Sequence, residues 1–165
     1  MDTLVERAND VRLLVLDVDG VLTDGRLYFS SRGEELKSFH VRDGAGIVQL
    51  LRAGLQIAVI SGRQSKAVER RMHELGVTWV RQGVEDKLTA LRELLDILGL
   101  GPQAVASMGD DVADLPIFEV ARLAIAVADA HRSVKSQAHF ITQAAGGQGA
   151  VREVCDLILE SQRAR

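Results

Sequence analysis

Residues 11–20, Val-Arg-Leu-Leu-Val-Leu-Asp-Val-Asp-Gly, join a nearly continuous apolar run to two carboxylates, Asp17 and Asp19. An unbroken run of aliphatic residues is typical of a strand that is buried on both faces of a parallel sheet. In open parallel sheets, ligands bind beyond the carboxyl ends of the strands. The two aspartates therefore lie where a functional site is expected.

Four further apolar runs and five stretches with helical spacing follow in alternation. The predicted strands are 11–18, 55–60, 77–80, 104–108 and 123–127, and the predicted helices are 46–53, 64–75, 87–98, 111–121 and 149–162. This order predicts an α/β fold with a doubly wound parallel sheet, in a single domain that covers residues 1–165.

The segment from about residue 22 to 43 interrupts the alternation, because connections in such folds usually take two to six residues. Two alternating stretches, 26–29 and 35–41, flank a turn that contains Gly33. They predict a β-hairpin inserted after the first strand. An isolated hairpin is marginally stable in water, so this one requires a partner surface.

The composition excludes several classes of function. A net charge of −3 and a pI near 5.8 argue against a nucleic-acid partner, which requires a basic face. No apolar run is long enough to span a membrane, and no basic leader precedes the first strand. The one cysteine, Cys155, lies in an apolar helical pattern that predicts a buried structural thiol. Together these features predict a cytoplasmic protein.

Polar residues follow the predicted strands at one edge of the sheet. They are Asp17, Asp19, Ser61, Arg63, Asp110, Asp111 and Asp114, with Lys87 at the start of a helix. One aspartate could attack phosphorus while the other transfers a proton, and carboxylate oxygens suit Mg²⁺. Ser61 and Lys87 would hold the remaining phosphoryl oxygens.

Taken singly, each motif has an ordinary explanation. Acids often follow strands, and residues 61–63 could be a turn with a helix N-cap. Lys87 could be a solvated lysine, and the acids at 110–114 could be favoured by a helix dipole. The combination, with every member at a strand end or helix start, indicates a magnesium-dependent phosphatase.

These residues resemble the four motifs of the haloacid dehalogenase superfamily, whose fold is Rossmann-like. The resemblance implies that Asp17 is a nucleophile that forms an aspartyl-phosphate. Asp19 would protonate the leaving alcohol and then activate water. Mg²⁺ would be held by Asp17, the backbone carbonyl of Asp19 and Asp110, with Asp111 and Asp114 in support.

Six longer segments resemble the minimal-cap family of 3-deoxy-D-manno-octulosonate 8-phosphate phosphatases, which act in lipopolysaccharide precursor synthesis. The segments are 22–25, 33–37, 39–44, 61–63, 127–130 and 146–153. The resemblance implies a sugar-acid phosphate substrate, no large cap domain, and a homotetramer whose hairpins assemble together. The glycine-rich segment 146–149 would either fold over a site or be only a flexible connection.

The same resemblance implies a set of substrate contacts. They are Asp19, His40, Val41, Arg42, Asp43, Gly44, Arg63, Arg71 and Lys87. Arg63 suits a carboxylate or phosphate because its planar guanidinium donates hydrogen bonds in pairs. Arg71 could equally be an exposed helical arginine, and His40 occupies a variable position that gives no reason for an acid–base role.

Three alternatives stay open at this point. A phosphatase for a nine-carbon sialic-type sugar acid would carry the same motifs. A non-catalytic phosphate-binding subunit would be expected to lose Asp17, which is present. A response-regulator receiver domain also carries an aspartate at a strand end, but it has no use for Asp19, since its phosphoryl-aspartate must persist.

Overall fold

The structure, a computed structural model, describes residues 2–163 as a parallel sheet with helices on both faces. The strands are β1 (Leu13–Leu16), β2 (Tyr28–Phe29), β3 (Glu35–Leu36), β4 (Gln56–Ile60), β5 (Trp79–Arg81), β6 (Val105–Gly109), β7 (Leu123–Ala126) and β8 (Phe140–Ile141). The helices are α1 (Leu4–Asp10), α2 (Val41–Arg52), α3 (Lys66–Leu75), α4 (Lys87–Leu98), α5 (Leu115–Phe118), α6 (Arg132–Lys135) and α7 (Ala150–Arg163).

The main sheet has the order β5-β4-β1-β6-β7-β8, and every pair in it is parallel. Strand β1 lies at the centre and contributes to both layers of the core. Leu14 and Leu16 pack with α2 and α7 on one face, and Leu13 and Val15 pack with α4 on the other. The predicted doubly wound α/β fold is confirmed, and no large cap domain is present among residues 2–163.

The hairpin insertion is present but shorter than predicted. Strands β2 and β3 pair antiparallel over two residues each, and the second strand does not extend to residue 41. Helix α2 begins there instead, because the ring nitrogen Nδ1 of His40 accepts a hydrogen bond from the backbone N–H of Arg42 at 3.1 Å. The predicted start of this helix at residue 46 is therefore five residues late.

Two other local predictions can be compared with the structure. Cys155 is free and fully buried, which confirms the predicted buried thiol, and burial raises the pKa of this group. Among residues 2–163, no helix is both long and apolar enough to cross a membrane.

Candidate active site

Asp17 leaves the central strand at the carboxyl edge of the sheet. The chain is still extended at Asp17 and then enters an irregular turn, Val18–Leu22, in which Asp19 and Gly20 have non-helical backbone angles. Gly20 has a φ of +87°, and a Cβ there would come within 1.9 Å of the Asp110 carboxylate. Glycine is therefore required at this position, both for the turn and for the close approach of Asp110.

Asp17, Asp110 and Asp114 form an acidic cluster, with one carboxylate oxygen of each within 4.8 Å of the others. The Asp114 carboxylate is held in place because its Oδ2 accepts hydrogen bonds from the backbone N–H groups of Asp110 and Asp111, at 3.0 and 3.3 Å. Asp17 therefore lies close to the acids that follow β6, as the sequence predicted.

Lys87 is the one side-chain cation that bonds this cluster among the described residues. Its Nζ lies 3.0 Å from Oδ1 of Asp17 and 2.7 Å from Oδ1 of Asp114, and the side chain is 6% exposed. Burial lowers the pKa of Lys87, but attraction to the two carboxylates outweighs it and the net shift is upward. Lys87 is therefore a buried ammonium ion.

The cluster still carries more negative than positive charge. Burial, followed by repulsion from Asp114, raises the pKa of Asp17 despite the contact with Lys87. Burial, followed by repulsion from Asp17 and Asp114, raises the pKa of Asp110 to about 8. Oxygen donors with unbalanced negative charge fit Mg²⁺, and Asp17 and Asp110 are the residues that would hold it.

Mg²⁺ is expected to raise the Tm of metal-free protein, by an amount that grows with pH up to about 8. The pKa of Asp110 is raised to about 8, so below this pH a proton competes with the metal for its carboxylate. Thermal melts with Mg²⁺ or EDTA across this range measure the shift. Asp110→Asn should remove most of it, whereas Asp96→Asn, on the exposed face of α4, should not. A shift that shrinks as the pH rises would contradict the assignment.

A second group of charges surrounds Asp19. Lys37 Nζ lies 2.6 Å from Oδ1 of Asp19 and 3.0 Å from Oε1 of Glu35. The Arg63 guanidinium contacts the same Glu35 oxygen at 3.2 Å and Oδ2 of Asp19 at 3.7 Å. Lys37 and Glu35 were not predicted as site residues. Both lie in the predicted strand 35–41, where a spacing of two places side chains on one face, and this spacing was the available signal.

A cavity of about 320 Å³ lies at the carboxyl edge of the sheet. Its lining is formed by Asp17, Asp19, Gly25, Ser61, Gly62, Arg63, Val84, Glu85, Lys87, Asp110, Asp111 and Ala113. Ser61 is buried and is fixed by backbone hydrogen bonds to Arg81 and Val84. The loop residues Val84 and Glu85 were not predicted to line the site, because they belong to none of the motifs found in the sequence.

The structure does not bring residues 40–44 or Arg71 to the lining of this cavity. Asp43 is buried, and its Oδ1 accepts the backbone N–H of Arg152 at 2.9 Å in the first turn of α7. The Arg71 guanidinium lies against Gly44 and pairs with Glu74 at 3.6 Å. Val41 is exposed. Their substrate contacts stay predictions.

The glycine-rich segment before α7 packs against the turn that follows Asp17. A Cβ on Gly146 would lie 1.8 Å from the carbonyl oxygen of Gly20, and one on Gly147 would clash with the backbone of Thr23. The backbone N–H of Gly146 donates to the Asp129 carboxylate at 2.9 Å. These glycines therefore allow close backbone packing against the turn, and closure of a site by this segment stays a prediction.

Comparison with known proteins gives consistent matches. The model of the haloacid dehalogenase-like hydrolase family matches residues 80–154. The 3-deoxy-D-manno-octulosonate 8-phosphate phosphatase of Yersinia pestis is 49% identical over 161 residues, which is 98% of this chain and 86% of the relative. Its 1.95 Å crystal structure superposes with a TM-score of 0.96, covering 97% of this chain and 86% of that one.

A second solved structure carries ligands. It is the 3-deoxy-D-manno-octulosonate 8-phosphate phosphatase of Moraxella catarrhalis, in complex with a magnesium ion, a phosphate ion and a KDO molecule. It is 42% identical and superposes with a TM-score of 0.94, covering 96% of this chain and 91% of that chain.

Proposed function

The chain belongs to the 3-deoxy-D-manno-octulosonate 8-phosphate phosphatase family of haloacid dehalogenase-like hydrolases, and we propose that it hydrolyses this sugar-acid phosphate through Asp17. The reaction requires Mg²⁺ and yields the free sugar acid, a lipopolysaccharide precursor, and phosphate. The observation that carries the proposal is the placement of Asp17 in a cavity beside Lys87 and Asp110. We also propose a cytoplasmic location, which the lone buried thiol of Cys155 supports.

In the first half-reaction, a carboxylate oxygen of Asp17 attacks phosphorus and the bond from phosphorus to the sugar oxygen breaks. Asp19, on the same cavity wall, gives its proton to the departing sugar oxygen. Ser61 and Lys87 hold the phosphoryl oxygens in the cavity. Bound Mg²⁺ supplies positive charge that offsets the repulsion between the phosphate and the aspartates.

In the second half-reaction, the Asp19 carboxylate takes a proton from water, whose oxygen attacks the phosphorus carried on Asp17. The bond from phosphorus to Asp17 breaks, which restores the carboxylate and releases phosphate. Asp19 then holds the proton needed for the next turnover. Asp17 thus acts as the nucleophile, and Asp19, separated from it by Val18 alone, transfers the protons.

We propose that Arg63 binds the carboxylate of the sugar acid. This side chain is 49% exposed at the cavity and lies on the Asp19 side, away from the acidic cluster. A planar guanidinium can donate two hydrogen bonds to one carboxylate. The phosphate end would then lie towards Asp17 and the acid end towards Arg63.

Phosphate release from a panel of sugar-acid phosphates tests the substrate. We expect Mg²⁺-dependent turnover of 3-deoxy-D-manno-octulosonate 8-phosphate, with a higher kcat/KM than for a nine-carbon sialic-type 9-phosphate. EDTA should abolish the activity, and excess Mg²⁺ should restore it. Equal or reversed preference between the two sugar acids would reject the eight-carbon assignment while leaving the phosphatase chemistry intact.

We further propose a homotetramer assembled through the hairpins. Phe29 and Leu36 are 59% and 58% exposed on β2 and β3, which are too short to be stable alone. Replacing both with Ser should reduce the assembled mass measured by light scattering, while Ile97→Ser, at an exposed position on α4, should not. A monomeric wild-type protein at micromolar concentration would refute this assembly.

A further inference from the structure

Lys37 lies on the hairpin side of the site and bonds Asp19 directly. Its side chain is 2% exposed, although it comes from a hairpin whose apolar side chains face solvent. Both contacts of its ammonium group are carboxylate oxygens, on Asp19 at 2.6 Å and Glu35 at 3.0 Å. A lysine that is buried in this way has exchanged its hydration for hydrogen bonds to these two oxygens, and Oδ2 of Asp19 is left to carry the proton for the leaving group.

Resting on the phosphatase function proposed above, we propose that Lys37 is a positioning residue that holds the Asp19 carboxyl group towards the leaving oxygen of the substrate. Glu35 anchors Lys37 from the other side. The role is distinct from phosphate binding, which falls to Ser61, directly after β4, and Lys87, at the start of α4.

Three observations support positioning rather than direct substrate contact. Lys37 does not line the cavity that holds Asp17, whereas Asp19 does. Asp19 lies in a turn that is neither strand nor regular helix, so its backbone alone does not fix its side chain. Its Oδ1 bonds Lys37 and its Oδ2 faces Arg63 at the longer distance of 3.7 Å, so Lys37 makes the tighter contact.

Glu35 connects the two cations that face Asp19. One Glu35 oxygen contacts both Lys37 and Arg63, at 3.0 and 3.2 Å. The hairpin therefore reaches the catalytic turn through side chains, since β2 and β3 pair only with each other. Displacement of Lys37 would leave Asp19 free to rotate away from the departing oxygen. The rate would then fall, because Asp19 would protonate that oxygen less efficiently.

The test uses a series of aryl phosphates, from 4-nitrophenyl phosphate, a good leaving group, to phenyl phosphate, a poor one. The value of kcat/KM includes every step up to and including phosphoryl transfer. It therefore reports on protonation of the leaving oxygen, which occurs in that step. Lys37→Met should leave kcat/KM for 4-nitrophenyl phosphate within about threefold of wild type and lower it for phenyl phosphate by about 30-fold, because losing the positioning contact removes only part of the roughly 10²–10⁴-fold that a general acid contributes. Glu35→Gln should also affect phenyl phosphate more than 4-nitrophenyl phosphate, but with a smaller difference between the two substrates than Lys37→Met.

Lys135→Met, on α6, is the matched control and should leave the whole series unchanged. A uniform loss across the series for both Lys37→Met and Glu35→Gln would overturn the proposal, because it would indicate phosphate binding or general damage. An unchanged series with a loss only on the sugar substrate would also overturn it and assign Lys37 to sugar recognition. If wild type cleaves aryl phosphates but no sugar-acid phosphate, the substrate assignment fails and the aryl series still decides the role of Lys37.

Discussion

Asp17→Asn is expected to lower turnover of the sugar-acid phosphate by at least about 10³-fold, because the amide cannot form the bond to phosphorus. The substitution keeps the shape of the side chain at the end of β1. Phosphate release under saturating Mg²⁺ measures the loss, and rapid acid quenching should trap a phosphorylated protein from wild type but not from the variant. Activity within tenfold of wild type would exclude the covalent mechanism.

The same variant should fold as well as wild type when no metal is present. Burial and the neighbouring Asp114 raise the pKa of Asp17, so its ionised form is costly in the folded protein. An amide removes that cost, while Lys87 keeps its 2.7 Å contact with Asp114. Chemical denaturation should therefore give a free energy of unfolding no lower than that of wild type. An inactive variant that is also unfolded would say nothing about the nucleophile, and this measurement separates the two cases.

The fold and the place of Asp17 at the end of β1 were predictable because they depend on local pattern. Residues 13–16 are aliphatic without interruption, which is typical of a strand covered on both faces, and the acids follow at once. The carboxyl ends of parallel strands share one edge, so the approach of Asp110 to Asp17 followed from topology alone. The two-residue strand β8 and the four-residue helix α6 are too short to give a periodic signal.

The remaining parts of the site depend on tertiary contacts that no local pattern encodes. The resemblance assigned Asp43 to the substrate, and nothing near it in the sequence indicated that its carboxylate bonds the first turn of α7, more than 100 residues away in the chain. Lys37 received no role from the sequence, and only the turn after β1 brings Asp19 to within 2.6 Å of it. The glycines at 146 and 147 looked flexible until the backbone of residues 20–23 was placed against them.

Lys87→Met is expected to destabilise the metal-free protein by about 3 kcal/mol, near the lower end of the cost of breaking a buried ion pair. Methionine fills similar space but leaves Asp17 and Asp114 without their shared cation, and both carboxylates are largely buried. Removing one partner of a buried pair costs more than the pair contributed, because the remaining charge cannot be hydrated. Urea denaturation in EDTA measures the difference, with Lys135→Met as the control.

Two further measurements show whether charge, rather than packing, explains the loss. Adding Asp114→Asn to Lys87→Met should cost less than the sum of the two single changes, because the second change removes a carboxylate that has already lost its cation. Saturating Mg²⁺ should also reduce the loss, since another positive charge in the cluster partly replaces the ammonium group. If the double variant is strictly additive and Mg²⁺ changes nothing, then Lys87 supports the fold only through its methylene groups, and the electrostatic account of the acidic cluster fails.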